Sequence, residues 1–151
     1  MIGCDCATCR SDDPRVRRLR PSIYLQWNGG PSLLVDAGPD LRTQALTHRI
    51  RRIDAILLTH GHADHILGLD DVRRYNYLQK APIACYGDAR TIDDVRQTFA
   101  YAFDPRTQGG GGLPQLDTCV ITGSFRVGSQ EIVPVPIMHG SPTRTGTTKG
   151  S

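Results

Sequence analysis

Apolar and polar residues follow one another along the chain in a pattern that predicts strands first. Ser22–Trp27 alternates, ends at the glycine-rich stretch Asn28–Gly30, and is followed by the apolar run Ser32–Asp36. Two such runs joined by a short glycine-rich turn predict a β-hairpin. The continuous apolar run Ile53–Leu58 predicts a buried strand, and Pro82–Tyr86 predicts another.

Helices are predicted between and after these strands. Asp40 is placed to cap a short helix from Leu41 to about His48, and a second helix is expected over roughly Leu69–Gln79. Asp88 should cap a third helix, because it precedes a segment with apolar residues at helical spacing. The buried face of that helix would consist of Ala89, Ile92, Val95 and Phe99.

The last part of the pattern predicts three short antiparallel strands, at Leu116–Thr122, Phe125–Val127 and Glu131–Val135. Before them, Asp104–Pro114 contains four consecutive glycines and is interpreted as a flexible loop, with a mobile flap as the alternative. It lacks the Lys-Ser/Thr that completes a phosphate-binding loop. Alternating strands and helices predict an α/β (α+β) domain, in which helices cover a sheet.

Composition limits the classes of function that need to be considered. A chain of 151 residues with 38% apolar residues can form one domain with a core. Its net charge of +3 is too small to indicate nucleic-acid or membrane binding. No apolar run is long enough to span a membrane, and the first residues lack the apolar segment of a signal peptide. A cytoplasmic location is therefore the default expectation.

The densest candidate chemistry is the stretch Thr59–His65, directly after the predicted strand Ile53–Leu58. It carries three imidazoles and one carboxylate within six residues, at His60, His62, Asp64 and His65. Ligands on one short loop at a strand end can converge on a common centre, and this donor set is the one that Zn²⁺ prefers, with Fe or Mn as competitors. A single histidine there would be an ordinary loop residue, but this spacing predicts a metal site.

Two more residues are candidates near this loop. His139 ends the apolar run that starts at Val133, and together with His60 and His62 it would give one ion three imidazole ligands. Asp64 and His65 would then begin a second site. Asp36, at the end of another predicted strand, is interpreted as a turn carboxylate that accepts hydrogen bonds from backbone N–H groups.

The five cysteines are an odd number, which argues against a disulfide framework. Cys4, Cys6 and Cys9 lie close enough together to bind one cation, so we expect a structural zinc site there; reduced, exposed thiols are the alternative. Cys85 and Cys119 lie inside strand-like runs and are predicted to be small core residues.

The motif His60-x-His62-x-Asp64-His65, followed by Gly68-Leu69, resembles the signature of the metallo-β-lactamase fold hydrolases. The resemblance implies an αβ/βα sandwich and two Zn ions, one held by His60, His62 and His139 and the other involving Asp64 and His65. It also implies that Asp64 is catalytic and that Asp36 braces the metal loop. In this family a metal-activated hydroxide attacks the substrate.

The segment Gly3–Cys9 resembles the cysteine insert of one branch of this family, the cyclic-phosphate phosphodiesterases. There the insert binds a structural zinc that a downstream histidine completes, and no histidine of this chain can be assigned to that role. The resemblance implies a partial domain over residues 1–140, about the N-terminal half of the full domain. Residues 141–151 carry no apolar residue that could pack, and we expect a disordered tail there.

The resemblance therefore implies a phosphodiesterase with a small phosphodiester substrate. Nucleic acid and membranes are not expected as partners, and a homo-oligomer is compatible with the sequence. A thioester or lactone hydrolase and an RNA phosphodiesterase on the same fold are alternatives, because fold alone does not select the substrate. A metal-binding fragment without catalytic activity is the alternative from another functional class.

Overall fold

The computed structural model describes residues 2–107 and 112–137. The strands are β1 (Ile23–Gln26), β2 (Ser32–Val35), β3 (Ala55–Leu57), β4 (Ile83–Gly87), β5 (Leu116–Val120), β6 (Phe125–Val127) and β7 (Gln130–Ile132). The helices are α1 (Ala7–Arg10), α2 (Leu41–Thr47), α3 (Ala63–Ile66), α4 (Arg73–Gln79), α5 (Ala89–Thr98) and α6 (Ala100–Phe103). Two 3₁₀ turns lie at Pro14–Val16 and Leu69–Val72.

Five strands form one mixed sheet in the order β1-β2-β3-β4-β5. The predicted hairpin is present, because β1 pairs antiparallel with β2. β2, β3 and β4 run parallel to one another, and Ile56 in the middle strand lies opposite Leu34 on one side and Cys85 on the other. The carboxyl ends of these parallel strands lie at one edge of the sheet, where the candidate ligand loop follows β3.

The prediction of three antiparallel strands after residue 115 is wrong for the first of them. β5 pairs parallel with β4, from Ile83 opposite Leu116 to Gly87 opposite Val120. α5 and α6 form the connection between the two strands, and a helical crossover returns the chain so that the next strand is parallel. Only β6 and β7 form an antiparallel pair, as a separate two-stranded sheet.

Two predicted helix starts have different outcomes. Asp88 caps α5 as predicted, because its carboxylate accepts a hydrogen bond from the Thr91 backbone N–H at 2.7 Å. Asp40 precedes α2, but its side chain makes no capping hydrogen bond to that helix in the described structure. It accepts instead from the Arg20 backbone N–H at 2.8 Å and pairs with the Arg20 guanidinium at 3.1 Å, which holds the segment before β1 against α2.

The hydrophobic core lies between the sheet and its helices. Its central residues are fully or almost fully buried: Leu34, Leu41, Ile53, Ile56, Ile66, Leu69, Val72, Ile83, Cys85 and Val95. Burial of this kind stabilises the fold by roughly 1.5–3 kcal/mol for each large aliphatic side chain. Cys85 is a core residue as predicted. The prediction is wrong for Cys119, which is only partly buried on β5, the outermost strand of the sheet in the described structure.

The segment after β7 does not continue as the predicted strand to Val135. Pro134 and Pro136 lack the N–H that a strand ladder needs. Val133, Val135 and Ile137 are 64%, 74% and 82% exposed. No helix within the described ranges is long and apolar enough to cross a membrane. His139 and the predicted tail 141–151 lie outside the described residues.

Candidate metal centre

The candidate ligand loop begins where β3 ends, at the middle strand of the five-stranded sheet. The Leu58 backbone N–H donates to the Tyr86 carbonyl at 2.8 Å, which extends the pairing of β3 with β4 by one residue. On the other side, the Asp36 N–H donates to the Leu57 carbonyl at 2.9 Å. These bonds hold the end of β2 beside the start of the loop, so Asp36 meets the histidines.

His60 and His62 present two ring nitrogens to each other. Nε2 of His60 lies 3.1 Å from Nδ1 of His62, and the ring centroids are 4.5 Å apart. Two nitrogens that bind one tetrahedral Zn²⁺ at 2.0–2.1 Å are about 3.3–3.4 Å from each other. The pair therefore fits a shared zinc ion with only a small adjustment.

Asp64 and His65 form a second donor pair on α3. Oδ2 of Asp64 lies 3.5 Å from Nε2 of His65, and the His65 ring centroid is 4.0 Å from that of His60. The Asp64 side chain is 54% exposed, whereas the His65 side chain is 15% exposed. The structure thus brings together the four predicted ligands of the loop, in two pairs whose separations suit metal binding.

Asp36 braces this loop through three hydrogen bonds. Its Oδ1 accepts from the Thr59 N–H at 2.9 Å, and its Oδ2 accepts from the Thr59 hydroxyl at 2.8 Å and from Nδ1 of His65 at 2.7 Å. An ionised carboxylate only accepts, so the Nδ1 of His65 carries the hydrogen, and Nε2 is the ring nitrogen that could bind a metal ion. The interpretation of Asp36 as a bracing carboxylate is confirmed, although only one of the three hydrogen bonds comes from a backbone N–H and the other two come from the side chains of Thr59 and His65.

Thr59 is a site residue that the sequence interpretation did not single out. Its hydroxyl lies 2.8 Å from Asp36 Oδ2 and 3.0 Å from Nδ1 of His60, so it connects the bracing carboxylate to the first histidine. This contact on Nδ1 leaves Nε2 of His60 facing His62. The sequence does contain a signal for this role, which is a hydroxyl residue directly before the first histidine of the motif. Metal-binding histidines are commonly oriented by a hydrogen-bond partner on the ring nitrogen that does not bind the metal.

Two glycines allow the turn after β2 to touch α3 backbone to backbone. The Ala37 N–H donates to the His65 carbonyl at 2.8 Å, and the Gly68 N–H donates to the Ala37 carbonyl at 2.7 Å. A Cβ atom on Gly68 would collide with the Gly38 carbonyl, and one on Gly38 would collide with the Asp64 carbonyl. Both glycines are therefore needed for the close approach that holds Asp64 and His65 in place.

The three thiols of Cys4, Cys6 and Cys9 lie within 4.8 Å of one another around the short helix α1. Among residues 2–107 and 112–137, this is the only set of three or more His, Cys, Asp or Glu ligand atoms with all separations that short. Hydrogen bonds from the Cys9 backbone and from the Cys4 and Cys9 side chains lower the pKa of the Cys6 thiol to about 7. A thiolate is the form that binds metal, so the triad fits a zinc ion.

Comparison with known proteins supplies the family. Residues 32–151 match the family model of the beta-lactamase superfamily domain. The chain belongs to this superfamily. Its fold is the metallo-β-lactamase fold, with part of the domain covered, and the predicted resemblance to metallo-β-lactamase fold hydrolases is confirmed.

Two solved structures superpose on this chain. A diphosphatase from the PhnP family is 40% identical, with a TM-score of 0.79 over 91% of this chain and 51% of its own. Zn²⁺-bound PqqB from Methylobacterium extorquens is 24% identical, with a TM-score of 0.56 over 82% of this chain and 42% of its own. The second likeness concerns the fold alone.

Curated relatives carry several names. An octanoyltransferase of Porphyromonas gingivalis is 37% identical over 141 residues, which are 92% of this chain and 28% of that protein. A ribonuclease Z of Bradyrhizobium is 36% identical over 91 residues, which are 58% of this chain and 30% of that protein. The chain thus spans less than a third of the length of either relative.

Proposed function

We propose that this superfamily member is a zinc-dependent hydrolase of small phosphodiesters or related phosphoryl compounds. The observation that carries the proposal is the loop after β3, where His60 with His62 and Asp64 with His65 form two donor pairs at metal-ligand spacing. The named relatives support a phosphoryl substrate, since one is a diphosphatase and another a ribonuclease. Both names describe cleavage of a bond to phosphorus.

Each residue of the loop has a proposed role. His60 and His62 would hold one ion, with His139 as the third ligand predicted from the sequence, and Asp64 and His65 would hold a second. Metal ions in such sites act as Lewis acids and lower the pKa of bound water. Asp36 and Thr59 keep the His65 and His60 rings oriented. Asp64, with its exposed carboxylate, can accept a proton from a water or from the substrate.

We propose that Cys4, Cys6 and Cys9 hold a separate structural zinc ion. The support is the mutual approach of the three thiols and the lowered pKa of Cys6. Structural zinc sites in proteins are usually four-coordinate, and thiolates are common ligands in them.

A second candidate function is hydrolysis of an acyl ester or thioester at the same loop. The octanoyltransferase relative favours it, because its name describes acyl chemistry in a protein that is 37% identical to this chain. A metal ion can polarise an acyl carbonyl as readily as a phosphoryl oxygen. The matched region is 28% of that relative, so the proposal concerns the class of bond and not octanoyl transfer itself.

The test is hydrolysis of bis-p-nitrophenyl phosphate and of p-nitrophenyl octanoate by purified protein, first stripped of metal and then supplied with Zn²⁺. The His62→Ala variant removes a proposed ligand. His48→Ala is a matched control, because His48 is exposed at the end of α2 and is not part of the motif.

We expect phosphodiester cleavage that His62→Ala abolishes and His48→Ala leaves unchanged. Cleavage of the octanoate alone would favour the acyl hydrolase. Metal binding without turnover of either substrate would favour the non-catalytic alternative.

A further inference from the structure

We propose that Asp94, on α5, is a positioning residue that fixes the turn between His60 and His62. The proposal rests on the metal site described above and adds to it a residue outside the motif. The side chain of Asp94 packs directly against Gly61, the residue between the two histidines. α5 therefore supports the back of the turn that presents both imidazoles.

The contact between Asp94 and Gly61 leaves no room for a side chain at position 61. A Cβ atom built on Gly61 would lie 2.7 Å from the Cβ of Asp94 and 2.8 Å from its Cγ, and would collide with one carboxylate oxygen. Real Cβ atoms essentially never approach other atoms closer than 3.0 Å. The Cβ, the Cγ and one carboxylate oxygen of Asp94 thus occupy the space beside Gly61 that a side chain would need.

Gly61 serves this contact and not an unusual backbone conformation. Among the glycines of the described ranges, those with positive φ are Gly3, Gly29 and Gly128, so Gly61 adopts a φ that other residues can adopt. Glycine is the most flexible residue in a chain, and a histidine-glycine-histidine turn without support would sample many conformations. The adjacent side chain of Asp94 restricts the conformations that the turn can adopt.

α5 is firmly held, so Asp94 cannot easily withdraw. Its neighbours Ile92 and Val95 are completely buried, and Asp88 caps the helix at its first turn. The 3.1 Å separation of the His60 and His62 nitrogens depends on the conformation of the turn between them. Sites are held in productive geometry by such supporting contacts; outer-shell groups that hydrogen-bond to metal ligands are typically worth about 10–100-fold in metal affinity, and this range sets the scale for the packing contact of Asp94.

The first test compares Asp94→Ala, which removes the carboxylate group that packs against Gly61 but keeps the Cβ, with Asp94→Asn, which keeps the shape of the side chain. Asp93→Ala is the matched control, since Asp93 is the adjacent, exposed acid on the same helix. Zn²⁺ affinity is measured by competition with a chelator, and the d–d absorption of bound Co²⁺ reports on the ligand geometry. We expect Asp94→Ala to weaken Zn²⁺ binding about tenfold or more and to shift the Co²⁺ spectrum. Asp94→Asn and Asp93→Ala should resemble the wild type.

A second experiment uses steric compensation. Gly61→Ala alone should weaken Zn²⁺ binding, because the new methyl group collides with Asp94. Adding Asp94→Gly removes the colliding atoms and should restore part of the affinity. Adding Asp93→Gly introduces the same helix-weakening glycine without relieving the collision, and it should restore nothing.

Hydrogen–deuterium exchange of residues 59–65 in metal-free protein separates this proposal from the proposed function. We expect faster exchange in Asp94→Ala than in Asp93→Ala even if the wild type binds no zinc at the loop. Absence of zinc binding would overturn the proposed function but not the positioning role. Equal exchange and equal affinity in these two variants would overturn the positioning role. So would an Asp94→Asn variant as impaired as Asp94→Ala, because charge and not contact would then matter.

Discussion

His65 and Asp36 are joined by a hydrogen bond of 2.7 Å between Nδ1 and Oδ2, which ties the end of β2 to the loop that follows β3. Asp36 is buried and adopts a left-handed backbone conformation, with φ of 59°. Aspartate and asparagine tolerate this conformation better than other non-glycine residues do. Aspartate therefore meets two requirements at this position: it tolerates the left-handed backbone, and it places a carboxylate beside His65.

The Asp36→Asn substitution should separate the two roles of this residue. Asparagine tolerates the left-handed backbone and keeps an acceptor for the Thr59 N–H, so the free energy of unfolding should change little. The new amide NH₂ cannot accept from His65, so the ring loses the partner that leaves Nε2 for metal. We expect Zn²⁺ affinity to fall about 10–100-fold, measured by chelator competition.

Asp36→Ala is the matched comparison for this prediction. It also leaves the Thr59 N–H without its acceptor, which should destabilise the fold by about 1–3 kcal/mol in urea denaturation. An asparagine variant with unchanged Zn²⁺ affinity would show that the carboxylate does not control the His65 ring.

The close approach of the turn after β2 to α3 predicts that alanine substitution will lower the thermal stability at Gly68 but not at Gly123. In Gly68→Ala, the methyl group meets the Gly38 carbonyl, and overpacking of this kind costs typically about 1–3 kcal/mol. Gly123→Ala is the control, because a Cβ there has no atom within 4 Å and the backbone φ is ordinary. Thermal denaturation should show a lower midpoint for the first variant only. Equal midpoints would mean that the turn and α3 separate at little cost.

The thiols should differ strongly in reactivity. Cys6 has a pKa lowered to about 7, whereas burial raises the pKa of Cys85 to about 12. Thiolates are the nucleophiles, so iodoacetamide at pH 7 should label Cys6 in metal-free protein and leave Cys85 unmodified until the protein unfolds. Labelling of Cys6 should rise steeply between about pH 6 and 8, as the thiolate fraction increases through the pKa. Mass spectrometry of peptides measures both rates, and labelling of Cys85 before Cys6 would contradict this assignment.

The cysteine triad and the histidine loop should bind metal independently. Serine substitution of Cys4, Cys6 and Cys9 together should release about one equivalent of metal and leave the histidine loop loaded. In Co²⁺-substituted protein the thiolate charge-transfer band should disappear, while the d–d bands from the loop remain. Absence of that band in the unmutated protein would show that the thiols are not ligands.

The pattern of apolar residues predicted most elements, but it did not predict the direction of β5. A short apolar strand has the same side-chain pattern in parallel and antiparallel pairs, so direction depends on the connection. α5 was predicted from its capped, amphipathic segment, and a helix between β4 and β5 is what a parallel pair requires. The burial predicted for Cys119 was wrong because β5 is the outermost strand of the described sheet, and the apolar pattern does not encode the position of a strand in the sheet.

At the site, the candidate ligands of the loop could be picked out because they are neighbours in the sequence, and the structure places them close together. Asp36 was predictable from its place at a strand end. Asp94 was not, because an acidic residue on the polar side of an amphipathic helix looks like ordinary surface. Its role becomes visible only when α5 is placed against Gly61, a tertiary contact that no local pattern encodes.

The position of β3 as the third of five strands also bears on how the protein loses structure. Fraying starts at outer strands, and here an opening that begins at β1 or β5 must separate two strand pairs before it reaches β3. The backbone of β3 therefore belongs to the last part of the described sheet to open. A protease acting on partly opened molecules should cut the segments around β1 and β5 well before it cuts within β3.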